Sequence, residues 1–118
     1  MKKMLARNQL RRAFRQLRQT VFPVDSVVDD RLSELHARLA LYDGHVAGVA
    51  MSVLAGSHVE PSWLVGDGGL RRDLDDAVHR YEGDARRDAE AVLSRCQLLD
   101  AVLEAARRAA GCGGPRPT

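Results

Sequence analysis

The most regular feature of the chain is a stripe of apolar residues that recurs every three or four positions from residue 28 to residue 53. A repeat that averages 3.5 residues keeps its side chains on one side of an α-helix and is typical of helices that pack at a shallow angle. The stripe predicts a helix over residues 27–55, which would be about 43 Å long at 1.5 Å per residue. Its members are Val28, Leu32, Leu35, Leu39, Tyr42, Val46, Val49 and Val53.

Similar stripes predict three more helices, over residues 3–21, 70–82 and 84–110. Pro23 ends the first of them, because the residue before a proline is disfavoured in the α conformation. Gly83 separates the last two. Their stripes continue across Gly83 with only a small stutter, so a single kinked helix over 70–110 is the alternative. The segment 56–69, with its glycines and Pro61, is predicted to be the one long connection.

These elements predict an all-α protein: an elongated antiparallel bundle of three or four helices, forming a single domain over residues 1–110. Residues 111–118, with the sequence GCGGPRPT, are predicted to form a disordered tail. The helices differ in length, so parts of the second and fourth would lack a partner within one chain. A homodimer would cover them, because a two-fold axis brings the same surface of two copies together.

The second half of the long helix carries no charge. No Asp, Glu, Lys or Arg occurs between Gly44 and Val59. Small residues recur at every fourth position away from the apolar stripe, namely Ala40, Gly44, Gly48, Ser52 and Gly56. A glycine inside a helix costs about 1 kcal/mol relative to alanine, and close approach of another backbone is the usual compensation. The predicted self-association interface consists of Gly44, Gly48, Val49 and Ser52.

Composition supports the all-α prediction. Aromatic residues make up only 4% of the 118 residues and isoleucine is absent, whereas the abundant Ala, Leu and Arg have high helix propensity. No apolar run approaches the ~20 residues of a transmembrane helix. The two cysteines form neither a disulfide framework nor a zinc pattern. We therefore expect a cytoplasmic protein, and the excess of arginine over lysine suggests a bacterial one.

The net charge of +2 conceals a strong asymmetry. Residues 1–24 contain seven basic side chains and no acidic one, whereas the rest contains 11 basic and 16 acidic residues. Three interpretations are open: a helix that is solvated or docks on the acidic remainder, a surface for nucleic-acid phosphates, or a surface for an anionic membrane. The nucleic-acid interpretation would use Arg7, Arg11, Arg12, Arg15 and Arg18.

No motif in the chain is typical of a catalytic or cofactor site. We therefore assign no catalytic residue, no cofactor and no metal ligand. Two sets of histidine and acidic residues share helix faces, namely Asp75, His79 and Glu82, and Asp29, His36 and Asp43. Helical periodicity turns the first set toward solvent. The second set is spaced by about 10.5 Å per seven residues, too far to share one ion.

Trp63 and His58 lie in the long connection and are the candidate contacts for a partner or ligand, since tryptophan is enriched at binding hot spots. The alternative is that Trp63 covers one end of the bundle. Taken together, the features predict a non-enzymatic protein that acts through self-association and protein-partner binding. The alternatives are a small nucleic-acid-binding protein and, third, a metal- or ligand-binding bundle enzyme.

Overall fold

The computed structural model describes residues 2–20 and 29–111. Within these ranges the chain forms α-helices and one short 3-10 helix, with no strand. The elements are α1 (Lys2–Gln19), α2 (Asp30–Leu54), the 3-10 helix Pro61–Leu64, α3 (Gly68–Arg80) and α4 (Gly83–Gly111). The helices pack against one another, which confirms the predicted all-α bundle. Val21, Pro23, Val28 and residues 112–118 of the predicted tail lie outside the described residues.

The helix α2 keeps the predicted apolar stripe on its buried side. Every described member of the stripe is buried: Leu32, Leu35, Leu39, Tyr42, Val46, Val49 and Val53. The helix begins at Asp30 rather than at residue 27 because Asp29 is extended and acts as the N-cap. The Asp29 carboxylate accepts a hydrogen bond from the backbone N–H of Arg31 at 2.7 Å, which satisfies one of the free amides at the helix start.

The helix α1 packs by its apolar side and is tied to α2 by one arginine. Its described buried residues are Ala6, Leu10 and Leu17. The Arg7 guanidinium donates hydrogen bonds to the backbone carbonyls of Val53 and Leu54, at the C-terminus of α2. The last turn of α2 has no basic residue of its own. Arg7 therefore supplies the positive charge that a helix C-terminus favours.

The junction between α3 and α4 consists of Tyr81 and Glu82. Tyr81 has an extended backbone, and Gly83 has a φ of +61°, a left-handed conformation that glycine adopts without steric cost. The alternative of one kinked helix over 70–110 is therefore wrong. At its start α3 includes Gly68, two residues before the predicted Leu70, because the Asp67 carboxylate caps the backbone N–H of Leu70 at 3.0 Å.

The helix α4 lies at the centre of the bundle and contacts the other three helices and the 3-10 helix. Its buried apolar residues are Ala89, Val92, Cys96, Leu99, Val102, Leu103, Ala105, Ala106 and Ala109. Arg95 is also buried on this face. Its Nε donates to Oδ2 of Asp43 at 2.7 Å, and its Nη1 donates to the carbonyls of Leu17 and Thr20 at 2.9 and 3.1 Å. Arg95 thus joins α4 to α2 and to the end of α1.

Polar pairs between α2 and α4 show the relative direction of these two helices. His36 of α2 meets Asp88 of α4, and Asp43 of α2 meets Arg95 of α4, so the two helices run in the same direction. The bundle extends over 49 × 28 × 19 Å, which makes the molecule elongated. None of the described helices is both long and apolar enough to cross a membrane.

Candidate functional site

The side of α2 that faces away from the bundle carries an uncharged surface that we call the outer face. Its residues return at steps of three and four, which places them on one side of a helix, and they are Leu41, Gly44, Gly48, Met51 and Ala55. Leu41 is 78% exposed and Met51 is 55% exposed. Large apolar side chains on a face without charges are typical of a surface that another molecule covers.

The two glycines of the outer face have no packing role within the described part of the chain. A Cβ atom added to Gly44 or to Gly48 would meet nothing within 4 Å. Gly66 shows the opposite case, since a Cβ there would lie 3.2 Å from the Tyr42 hydroxyl. Gly66 is needed for close approach inside the chain, whereas the intrachain packing offers no reason for the other two.

Of the two candidate contact residues in the long connection, Trp63 lies beside the outer face and His58 does not. His45 Nε2 donates a hydrogen bond to the Trp63 carbonyl at 2.7 Å, which holds the 3-10 helix against α2. A shallow groove of about 300 Å³ follows, lined by Gly44, His45, Gly48, Val49, Ser52 and Trp63. His58 is exposed and pairs with the Glu60 carboxylate at 3.1 Å.

All four residues predicted for self-association line this groove together with Trp63, and three of them lie at its surface. Gly44, Gly48 and Ser52 lie at the surface of the groove. The fourth, Val49, is 4% exposed and belongs to the core of the chain, so that it forms the floor of the groove. A partner would meet the small residues and the indole, with little of Val49.

The basic side of α1 points away from the bundle. Arg11, Arg12, Arg15 and Arg18 are exposed, whereas Arg7 is engaged with the end of α2. The expectation that this face docks on acidic side chains has no support among residues 2–20 and 29–111, where none of the four lies within ion-pair distance of a carboxylate. Most arginines of α2, α3 and α4 do pair with Asp or Glu, for example Arg38 with Asp73 at 2.6 Å.

A buried ladder of polar pairs between α2 and α4 was not predicted as such. His36 Nε2 lies 2.9 and 3.0 Å from the two carboxylate oxygens of Asp88, and Asp43 meets Arg95 seven residues further along both helices. One heptad before His36, burial and the neighbouring Asp29 carboxylate raise the pKa of Tyr81. The shared face of Asp29, His36 and Asp43 was visible in the sequence, but their partners were not.

The histidines are not assembled into a metal centre in the part of the chain that the structure describes. Asp75, His79 and Glu82 are exposed, as helical periodicity indicated. His36 is 3% exposed, and its Nδ1 atom has no hydrogen-bond partner among the described residues. A single buried ring nitrogen paired with one carboxylate falls short of the three or four ligands that a zinc site uses.

A second polar cluster joins α2, α3 and α4. The Tyr42 hydroxyl donates to Oδ1 of Asp100 at 2.6 Å, and Arg71 donates to Oδ2 of the same carboxylate at 3.2 Å. Burial and the hydrogen bond to Asp100 raise the pKa of Tyr42. These groups border an open cleft of about 680 Å³ between α3 and α4. Because Tyr42, Arg71 and Asp100 bind one another, the cluster links α2, α3 and α4.

Comparisons with protein families, with curated proteins and with solved structures found no match to this chain, so its function must be inferred from its own residues.

Proposed function

We propose that this protein is a non-enzymatic interaction protein that forms a homodimer through the outer face of α2 and binds protein partners through its helical surface. The observation that carries the proposal is the pair of glycines, Gly44 and Gly48. Each costs about 1 kcal/mol of helix stability relative to alanine. Neither has a positive φ or a close neighbour within the described chain. Close approach of a second helix would account for both.

The apolar residues beside the glycines support the same proposal. Leu41 and Met51 extend from the outer face on either side of the glycines. Trp63 is 43% exposed and Val65 is 67% exposed at the neighbouring connection. Small residues let two backbones approach, and the flanking large side chains then supply apolar area that association removes from water. An isologous contact between two copies would use this combination twice.

The test is the solution mass of the wild-type protein and of two matched variants. Gly48→Leu adds a side chain where the chain itself has open space, so the fold is expected to tolerate it while a second helix is held off. Ala91→Leu places the same side chain at an exposed position of α4 and serves as the control. We expect the wild type and Ala91→Leu to be dimers, and Gly48→Leu to dissociate at least ten-fold more readily. Equal masses for all three would contradict the proposal.

Nucleic-acid binding through α1 is a second candidate, and one specific observation favours it. The exposed arginines of α1 have no carboxylate partner in the described ranges, so their charge is not neutralised by the bundle. Such a surface attracts phosphates with an affinity that falls steeply with salt. Binding of duplex DNA that disappears on charge reversal of Arg11, Arg12 and Arg15 would support it. Binding that ignores salt would contradict it.

A further inference from the structure

The five arginines of α1 are not equivalent, because the structure separates them into three groups. Arg7 donates hydrogen bonds to the backbone carbonyls at the end of α2. Arg11, Arg15 and Arg18 lie at steps of four and three, on one side of the helix. Arg12 lies about 60° around the helix from Arg15 and about 100° from Arg11, and it does not line the cleft between α1 and the end of α2.

The three arginines on one side line a cleft. The cleft has a volume of about 420 Å³, lies between α1 and the end of α2, and is lined by Arg11, Phe14, Arg15, Arg18, Gln19 and Leu54. The Arg18 guanidinium carbon stands 5.7 Å from the centre of the Phe14 ring, a distance at which the cation is attracted to the ring face. This contact holds one wall of the cleft in place.

We infer that Arg11, Arg15 and Arg18 form a binding cleft for the phosphodiester backbone of double-stranded nucleic acid. The inference rests on the nucleic-acid candidate above and names the residues and the ligand chemistry. Along the helix the three arginines span about 10.5 Å. A duplex presents about six phosphates over that length. Guanidinium groups suit this ligand because they donate in a planar fork that matches phosphate oxygens.

Two observations favour the duplex backbone over single strands and over membrane surfaces. Single-stranded binding uses free aromatic faces on which bases stack, but Phe14 is half-buried and Arg18 covers its ring. A membrane-bound amphipathic helix inserts its apolar side into the lipid, whereas α1 uses Leu10 and Leu17 in the core of the bundle. The expected mode of binding is contact with the phosphates of a duplex, without recognition of individual bases.

The test compares two double variants that remove the same charge. Arg11→Ala/Arg15→Ala removes two arginines of the cleft. Arg72→Ala/Arg86→Ala removes two exposed arginines elsewhere, one on α3 and one on α4. Binding to a labelled 20-base-pair duplex is measured by fluorescence anisotropy between about 50 and 200 mM salt, a range in which phosphate contacts change affinity strongly. Thermal melts establish that all three proteins are folded.

With three phosphate contacts per chain, wild-type affinity is expected to fall about 40-fold over this salt range. The cleft variant, with one contact left, would lose only about 4-fold, which is a third of the wild-type slope on logarithmic axes. The control variant is expected to keep the wild-type slope. This pattern would support the cleft.

Equal loss of slope in both double variants would overturn the cleft while leaving nucleic-acid binding in place. Absence of duplex binding in the wild type at about 50 mM salt would overturn both, since phosphate contacts are strongest there. Vesicles containing phosphatidylserine are tested in parallel. Binding to these vesicles without binding to the duplex would also overturn the inference. None of these outcomes bears on the dimer, which is tested by mass.

Discussion

The Nε2 atom of His36 lies 3.0 Å from Oδ1 and 2.9 Å from Oδ2 of Asp88, so that one ring nitrogen faces the whole carboxylate across the α2–α4 contact. The two residues are 52 positions apart in the chain, and so are Asp43 and Arg95 in the next pair of the ladder. The basic partner changes from α2 in the first pair to α4 in the second. A shift of one helix by a turn would leave all four side chains without these partners.

The His36–Asp88 pair is expected to hold α2 in register on α4. Its side chains are 4% and 12% exposed, so removing one partner leaves the other buried without its hydrogen-bond partner. We predict that His36→Leu and Asp88→Leu each destabilise the protein by about 3 kcal/mol. The double variant is expected to be less destabilised than the sum, because apolar residues can replace a buried pair at little cost. Urea unfolding of the four proteins measures the coupling.

A matched cycle provides the control for this coupling. His36 and Asp43 lie on the same face of α2 but are about 10.5 Å apart along the helix. Their substitutions by leucine should therefore add within about 0.5 kcal/mol. A coupling between His36 and Asp88 that is no larger than this control would show that the pair contributes nothing as a pair.

The Tyr42 hydroxyl makes stability depend on alkaline pH. Burial and Asp100 raise its pKa in the folded state, so the contribution is fully present below the ordinary tyrosine pKa of about 10 and is lost as pH rises toward the folded value. We predict that stability falls above about pH 10 and that Tyr42→Phe falls less steeply. At neutral pH the variant should lose roughly 1–2 kcal/mol. Parallel curves for the two proteins would contradict this role.

The Cys96 thiol is predicted to be unreactive in the folded protein. It is fully buried, and burial raises its pKa to about 12, so almost no thiolate forms at neutral pH. In the variant Cys112→Ser, Cys96 is the sole thiol. Its reaction with a disulfide reagent should proceed at the rate of unfolding and speed up in urea. Rapid stoichiometric labelling of the native variant would contradict the burial of this side chain.

The proposed role of the outer face predicts that replacing both of its glycines has opposite effects on the stability of the single chain and on self-association. Gly44→Ala/Gly48→Ala should raise the stability of the single chain, by about 1 kcal/mol per site, because alanine is the better helix former and no neighbour obstructs its Cβ. The same change should weaken self-association, because the methyl groups hold two backbones apart. Thermal melts at low concentration give the first quantity, and sedimentation gives the second. Stabilisation with unchanged association would remove the glycines from the interface.

The sequence predicted those parts of the fold that depend on local periodicity. The stripe from Leu32 to Val53 marked the buried side of α2 because a helix repeats every 3.6 residues whatever it packs against. The start of α2 was misplaced because three acceptable caps, Asp25, Ser26 and Asp29, lie within five residues of one another. Which of them acts as the cap depends on the path of the chain between α1 and α2.

The pairings between helices could not be predicted from one sequence. His36 and Asp43 were visible as one face, but their partners depend on the direction and register of α4. Arg7 appeared as one of five similar arginines, and only the position of α1 beside Leu54 separates it from the others. The two glycines of the outer face were singled out because a helix-interior glycine is costly wherever it occurs.

The measurement that tests the central claim most directly is the solution mass of the wild-type protein by light scattering, at low and high salt and with and without duplex DNA. Self-association through the uncharged outer face of α2 predicts twice the mass of one chain, unchanged by salt, since apolar contacts are not screened. A mass of one chain at all concentrations and salts would contradict the homodimer.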